Sequence, residues 1–335
     1  MTRVVVLTGS GGVGKTTTAA AIAVGLADAG ARTVVITIDP ALRLAQALGL
    51  EELGAAPAEV PDVPGLHALM LDQNERFGTM LADAGAPELA GNVVTRTMAR
   101  SFGGLQEYLA MDLLAGLHGS GEWDAIVVDT PPALSALEFL DSAERMGRLL
   151  DHPLMRLLTS SSAFVGAGVT VVGRILGSAM LQQLAAFARG ARPVMDTVLD
   201  RSRRMRATMA VSGEFLIVGA PAAEALREAR RFARSLDDQG LHPTTLVVNR
   251  VHPVDPALAD VSSAALASAD PDAAAVHRSR VELAEAEEKQ IARFVRRVPG
   301  VPVTRVPSLR GGVAGVRELR EMAALVLPAL DARRG

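Results

Sequence analysis

Residues 8–17 read TGSGGVGKTT, set between the apolar run RVVVL and the alanine-rich TAAAIAVGLADAG. Four glycines within six residues weaken any helix or strand, so the chain turns here, between a strand and a helix. Gly9 to Thr16 satisfies G-x-x-x-x-G-K-[ST], the pattern of a phosphate-binding loop. The glycines let successive backbone N–H groups point inward as an anion nest, and the following helix adds its positive end. Lys15 is a compact point charge for β and γ oxygens, and Thr16 offers a hydroxyl to magnesium. Gly9, Ser10, Gly11, Gly12, Val13, Gly14, Lys15, Thr16 and Thr17 are therefore the expected nucleotide-binding run. Lys15 and Lys289 are the only lysines, arginine supplying the rest of 34 positive charges. In such a chain, a lysine inside the glycine loop does something arginine cannot.

The remainder of the chain repeats the strand-then-helix rhythm. β-branched runs occur at 3–9, 32–39, 124–129, 214–220, 244–249 and 301–307, with a weaker one at 66–72. Continuous apolar strands suit a parallel sheet covered on both faces. Helical patterns lie at 16–29, 41–49, 222–239 and 314–330, and VELAEAEEKQIARFVRR at 281–297 is amphipathic. The expectation is an α/β fold with a doubly wound, mostly parallel sheet of the P-loop NTPase type. Its core is expected from about 1–72, 123–141 and 211–335. Residues 73–122 and 142–210 read mostly as helix and loop, and ten of the twelve methionines fall between Met70 and Met209. These two stretches are expected to form a helical subdomain inserted into the same single domain. The uncharged run 157–173 is too short and too rich in Ser, Thr and Gly for a membrane span, and reads as buried or groove-lining.

Two acids at strand ends complete the expected site. Asp129 closes the apolar IVVD, where a carboxylate orders magnesium and its waters. Asp39, in TIDPALRLAQALG, has two readings. With Pro40 behind it, it is a strong helix N-cap; it also suits facing the γ-phosphate and orienting the attacking water, and the two roles are compatible. Lys15 and Asp39 are thus the candidate catalytic residues, and Thr16 and Asp129 the candidate magnesium ligands.

Composition removes several alternatives. Cysteine is absent, which excludes disulfides, thiolate zinc sites and cysteine-ligated iron–sulfur clusters, and with them an electron-transfer reductase of the nitrogenase-iron-protein kind. A net charge of −3 gives no electrostatic reason to expect nucleic acid as a partner. The six histidines are scattered without ligand spacing, so no metal is expected beyond nucleotide-bound Mg2+. RSRRMRATM at 201–209 is a dense basic cluster, read as a solvated helix face. Met1 runs almost directly into a strand pattern, and the expected compartment is the cytoplasm.

SGGVGKTT from Ser10, DPA at 39–41 and DTPP at 129–132 together resemble the family of the arsenite-pump ATPase (ArsA) and the guided-entry ATPase that targets tail-anchored membrane proteins. The similarity covers most of the chain. That family's deviant Walker loop reads K-G-G-x-G-K-[ST]-[ST], its first switch contains D-P-A, and its second begins D-T-[AP]-P. The resemblance implies that Asn249, in VVNR, contacts adenine and that the proline loop at 306–309, with Pro307, lies by the base. FGGLQEYLAMD at 102–112 is similar to the family's P-G-x-x-E segment, which implies a dimer or switch contact for Glu107. The departures matter as much. Family dimers place the first lysine of the loop on the partner subunit's phosphates, and Ser10 stands there instead. Ser135 replaces the histidine of the second switch, and the metalloid-binding and zinc-clasp cysteines are missing.

The resemblance therefore implies ATP hydrolysis to ADP and phosphate, with dimer closure coupled to the helical subdomain. The missing lysine implies a heterodimer with a lysine-bearing paralogue, or else a slow homodimer or a monomer that mainly binds nucleotide. A groove formed by residues 73–122 and 142–210 would hold a hydrophobic membrane-protein client, with transient membrane association; methionine suits such adaptable surfaces, but it also fills ordinary cores. A positioning ATPase of the ParA/MinD kind is the alternative, weakened because the C-terminal helix is poorly basic and contains Pro328.

Overall fold

The computed structural model describes residues 2–87, 105–131, 197, 199–254, 268, 270–309, 311–313 and 315–332. The elements follow the strand-and-helix rhythm of the sequence. β1 is Arg3–Thr8, α1 Lys15–Asp28, β2 Thr33–Thr37 and α2 Arg43–Ala47. β3 (Ala58–Glu59), β4 (Leu66–Met70), α3 (Gln73–Asp83), α4 (Leu105–Ser120) and β5 (Ala125–Asp129) come next. Helical residues 199–212 form α5. β6 (Gly213–Gly219), α6 (Ala223–Asp237), β7 (Pro243–Val251), α7 (Pro271–Arg297), β8 (Val303–Pro307) and α8 (Val316–Asp331) complete the chain.

The strands form one eight-stranded sheet in the order β3-β4-β2-β5-β1-β6-β7-β8. All pairings are parallel except β3 with β4. All seven apolar runs are strands. β3, two exposed residues against Ala68 and His67, carries no such signal and serves as a short antiparallel edge. From β1 the chain winds outward through β2 and β4, and after β5 it winds the other way through β6, β7 and β8. Such a reversal opens a crevice at the carboxyl ends of the central strands.

Alternate residues of each strand serve opposite faces. Val4, Val6, Val34, Ile36, Ile126, Val128, Phe215 and Ile217 share a core with α3, α4, α5, α6 and α7. Val5, Leu7, Val35, Val127, Leu216 and Val218 share the other with α1, α2 and α8. Residues 73–83 and 105–120 are helical, as the sequence predicts, and their apolar side chains join the first of these cores. Met80, Met111, Met205 and Met209 are buried there.

Local signals set the helix ends. Asp72 caps α3 by accepting from Asn74 N (2.8 Å) and Glu75 N (3.0 Å). Asp270 does the same for Asp272 N and Ala273 N, with Pro271 at the first turn, so α7 starts ten residues before the amphipathic stretch. Arg3 ties the starts of β1 and β6 to the end of α8. Its guanidinium donates to both Glu214 oxygens at 2.8 Å and to Asp331 at 2.9 Å.

Two basic-cluster arginines depart from the solvated reading, and one of them, Arg206, is half-buried and donates to Gln239 Oε1 at 3.5 Å. Arg201 on α5 donates to Asp112 at 3.2 Å, and Arg76 on α3 meets the same carboxylate, which is 0% exposed. A buried carboxylate needs such partners, and here it joins three helices. Arg203 and Arg204 are exposed as expected.

α1 is apolar nearly all round and packs tightly on α8. A Cβ on Gly25 would lie 2.8 Å from the Ala323 Cβ and 2.5 Å from the Leu327 Cδ1. Leu327 can rotate, whereas the Ala323 methyl moves only with its backbone. Gly25→Ala gains about 1 kcal/mol of helix propensity but forces the helices apart at a cost of about 1–3 kcal/mol. The expected outcome is a lower urea midpoint; an unchanged or higher midpoint would contradict this packing.

Candidate functional site

The site is built on strand ends in register. Thr37 of β2 pairs with Asp129 of β5, which pairs with Leu7 of β1. Three adjacent strands thus finish together where the glycine loop leaves β1. Gly9 follows Thr8, and a Cβ there would sit 2.1 Å from the Val218 carbonyl oxygen of β6, so only glycine fits. At the other end, Gly14 has φ +96°, and its Cβ would lie 2.2 Å from Asn249 Nδ2. α1 then begins at Lys15, its first N–H groups facing the loop.

Lys15 is 6% exposed, and its Nζ donates to the carbonyls of Gly9 (2.8 Å) and Ser10 (2.9 Å). The ammonium is therefore held over the loop rather than extended into solvent. Burial lowers its pKa; Asp129 opposes that shift, and the nearby Arg43 adds to it.

Asp129 is 1% exposed. Thr37 Oγ1 donates to its Oδ2 at 3.2 Å, while its Oδ1 is buried without a partner, as is Thr8 Oγ1. Burial pushes the Asp129 pKa up to about 6, against the pull of the nearby Thr16 and Thr37 hydroxyls and the Lys15 charge. A buried carboxylate oxygen with no donor is costly to keep and marks a site that a cation would complete.

Asp39 stands just past β2. Its Oδ1 accepts from Ala41 N at 3.0 Å, and its Oδ2 lies 3.5 Å from the Arg43 guanidinium. The N-cap reading gives way here. α2 starts at Arg43 with Leu42 at the cap position, because the Asp39 carboxylate closes a local turn two residues on instead. Asn249, at the end of β7, is buried; its Nδ2 donates to Val13 O at 3.0 Å and its Oδ1 accepts from Arg250 N at 2.9 Å. Each amide atom keeps further capacity, one N–H and one lone pair. Pro307 ends β8 opposite Val251, two residues beyond Asn249.

The loop, its lysine, an unmet carboxylate and a second acid meet at one crevice, and nearly the whole sequence matches a known pattern. A family model described as "Anion-transporting ATPase" matches residues 2–327. The chain belongs to the anion-transporting ATPase family. It is 26% identical over 252 residues to a putative arsenical pump-driving ATPase of Halobacterium salinarum, covering 74% of this chain and 34% of that protein. An uncharacterized Streptomyces coelicolor protein is 32% identical over 270 residues, covering 76% of this chain and 63% of the relative. The ATPase get3 of Schizosaccharomyces pombe is 30% identical over 171 residues, half of each chain. The match thus spans between about a third and just under two thirds of these relatives' lengths.

In this family member the structure also brings in residues that sequence reasoning passed over. Thr37 contacts both acids: besides Asp129, its Oγ1 accepts from Asp39 N at 3.3 Å. Thr130 Oγ1 donates to Leu7 O at 2.6 Å, pinning the residue after β5 to β1. Gln106 Nε2 donates to Ile38 O at 2.8 Å, tying α4 to the residue before Asp39. It neighbours Glu107, the residue flagged by resemblance. A hydroxyl as the last residue of β2, beside an acid that ends β5, was the available signal for Thr37. The run 157–173, Ser135 and residues 88–104 and 142–196 of the expected client groove lie outside the described residues. Among the described residues, no helix is long and apolar enough to cross a membrane.

Proposed function

We propose that this chain binds ATP with magnesium and hydrolyses its β–γ anhydride. The carrying observation is that the Lys15 ammonium, the unpartnered Asp129 Oδ1 and the Asp39 turn meet at one glycine loop. In this reading the loop amides and the N-terminus of α1 bind the phosphates, and Lys15 exchanges its loop carbonyls for β and γ oxygens. Thr16 and Asp129 would hold Mg2+, which supplies charge neutralisation across those oxygens when bound. The buried, donor-less oxygen of Asp129 fits that role, and the Thr16 hydroxyl lies beside it. Asp39 orients the water whose oxygen attacks the γ-phosphorus, and the β–γ bridging oxygen leaves with ADP. The spare N–H and lone pair of Asn249 read adenine while its other contacts hold the loop, and Pro307 flanks the base.

Asp39→Asn keeps the turn to Ala41 but weakens water orientation. The expected outcome is a kcat lowered about 10²-fold with ATP affinity within a fewfold of wild type. An unchanged kcat would remove Asp39 from the chemistry.

Ser10 carries no charge that could reach a neighbouring subunit. Trans-acting cations are worth about 10³–10⁵ in rate in related phosphoryl transfer. The chain alone is therefore a slow enzyme, and its working form is a heterodimer in which a paralogue supplies that lysine. Closure of this dimer would act on the helical segments, through the Gln106 link to Ile38, and on a hydrophobic membrane-protein client. Cytoplasmic residence with transient membrane association fits that job. Phosphate release measured for the chain alone and mixed with such a paralogue decides: acceleration on mixing supports the heterodimer, and fast turnover alone contradicts it. The second reading, a slow nucleotide-binding switch, rests on the same uncharged Ser10 and corresponds to no acceleration with any paralogue.

A further inference from the structure

Away from the glycine loop, α6 and α7 enclose a cleft of about 190 Å3 whose lining includes Leu226, Arg227, Arg230, Arg293, Phe294 and Arg297, four of them arginines. Arg227 and Arg230 are three apart on α6, and Arg293 and Arg297 four apart on α7, so each pair shares a helix face. Leu226 and Phe294 are buried and form an apolar floor.

Charge sets this cleft apart. Elsewhere the described arginines commonly face carboxylates: Arg3 with Glu214, Arg305 with Glu288 and Arg320 with Asp28 all form two-pronged pairs. None of the four cleft arginines pairs with a carboxylate of the described residues. Arg293 alone has a polar contact, with Gln290 Oε1 at 3.5 Å. Five acids on the same two helices have other partners, Asp237 meeting His242 among them, while Glu224, Asp272 and Glu282 form no ion pair with the cleft arginines. Glu228 meets Arg231, Glu285 meets Lys289, Glu287 holds His252, and Glu288 meets Arg305. Four arginines that pair with no carboxylate of the described residues line one cleft, a concentration of positive charge that an anion would answer.

We propose that this cleft binds a phosphate group. Guanidinium forks match phosphate oxygens two at a time, and a phosphate carries enough charge to answer several of them. The volume lies below the roughly 300–1,000 Å3 of sites for drug-sized ligands, so it admits a single phosphate-bearing group rather than a whole nucleotide. The source is either free phosphate or the phosphate headgroup of an anionic lipid. The site is independent of the nucleotide reading, since no loop residue lines it.

Inorganic phosphate is titrated calorimetrically into the full chain, and sedimentation is measured with phosphatidylcholine vesicles with and without phosphatidic acid. Arg230→Gln with Arg293→Gln is expected to weaken binding of the responding probe at least tenfold, and Arg227→Gln with Arg297→Gln to do the same. A control of equal charge change, Arg203→Gln with Arg317→Gln, is expected to stay within twofold, and Lys15→Ala separates binding at the loop from binding at the cleft. Cleft-dependent binding of inorganic phosphate identifies the free ion, and cleft-dependent sedimentation with phosphatidic acid alone identifies the headgroup. Binding of neither probe, binding unmoved by both cleft variants, or an equal loss in the surface control would overturn the proposal. Dependence on Lys15 instead of the cleft would assign the phosphate to the loop and overturn it too.

Discussion

Lys15→Ala is expected to lower ATP turnover at least about 10³-fold, the scale of losing a cation that stabilises the transferring phosphoryl group. The geometry explains why no other residue substitutes. The loop's amides supply partial charges, but among the described residues the only full charge held over it by backbone carbonyls is this ammonium, bonded to Gly9 O and Ser10 O. Arg43 is close enough to influence Lys15 but is mostly exposed and leans on Asp39. Arginine at position 15 would carry a planar fork where the loop accommodates a point charge, so Lys15→Arg is expected to fail as well. The check is phosphate release under saturating Mg·ATP, with a melting curve to confirm folding. Near-normal turnover in a folded Lys15→Ala protein would refute the site.

Asp129→Asn is expected to have opposite effects on activity and on stability. Turnover falls about 10²-fold or more, because the amide cannot act as an anionic partner for magnesium. The nucleotide-free protein, by contrast, gains stability at pH 8. The sign follows from linkage: the native carboxyl has a pKa of about 6 against an ordinary 3.8, so the native state holds its proton more tightly than the unfolded chain. Stability of the nucleotide-free protein therefore falls as pH rises from about 4 to about 6 and stays lower above that. A shift of that size corresponds to about 3 kcal/mol at pH 8. Asparagine escapes the cost, so its denaturation midpoint exceeds wild type at pH 8, and the advantage disappears below about pH 4. A variant less stable than wild type at pH 8 would show that the carboxylate is not strained by burial.

That trade explains which parts of the molecule were legible in the sequence. The central strands β1, β2 and β5 were readable because each is an apolar run buried on both faces, and Gly9 to Thr16 was readable because its chemistry is local. β3 was not, since Ala58 and Glu59 are exposed and owe their pairing to β4 rather than to their own pattern. The early start of α7 was present in Asp270-Pro271 but masked by the alanine-rich composition around it. Asp39 misled as a helix cap because Asp-Pro also begins turns; the choice was made by which N–H its carboxylate reached. Thr37 and Gln106 act across 92 and 68 residues of sequence, on Asp129 and Ile38; the hydroxyl ending β2 was a signal for Thr37, but Gln106 had none. The cleft arginines of α6 and α7 lie more than sixty residues apart in sequence, and only the packing of the two helices brings them to one cleft.

Titrating Mg·ATP into the full wild-type chain and into Lys15→Ala is the most direct test of the central claim, that the turn after β1 cradles the tail of ATP. The account predicts saturable binding at one site per chain for wild type, with affinity lost or greatly weakened on removing the ammonium. A flat wild-type titration, or identical binding by the two proteins, would contradict it.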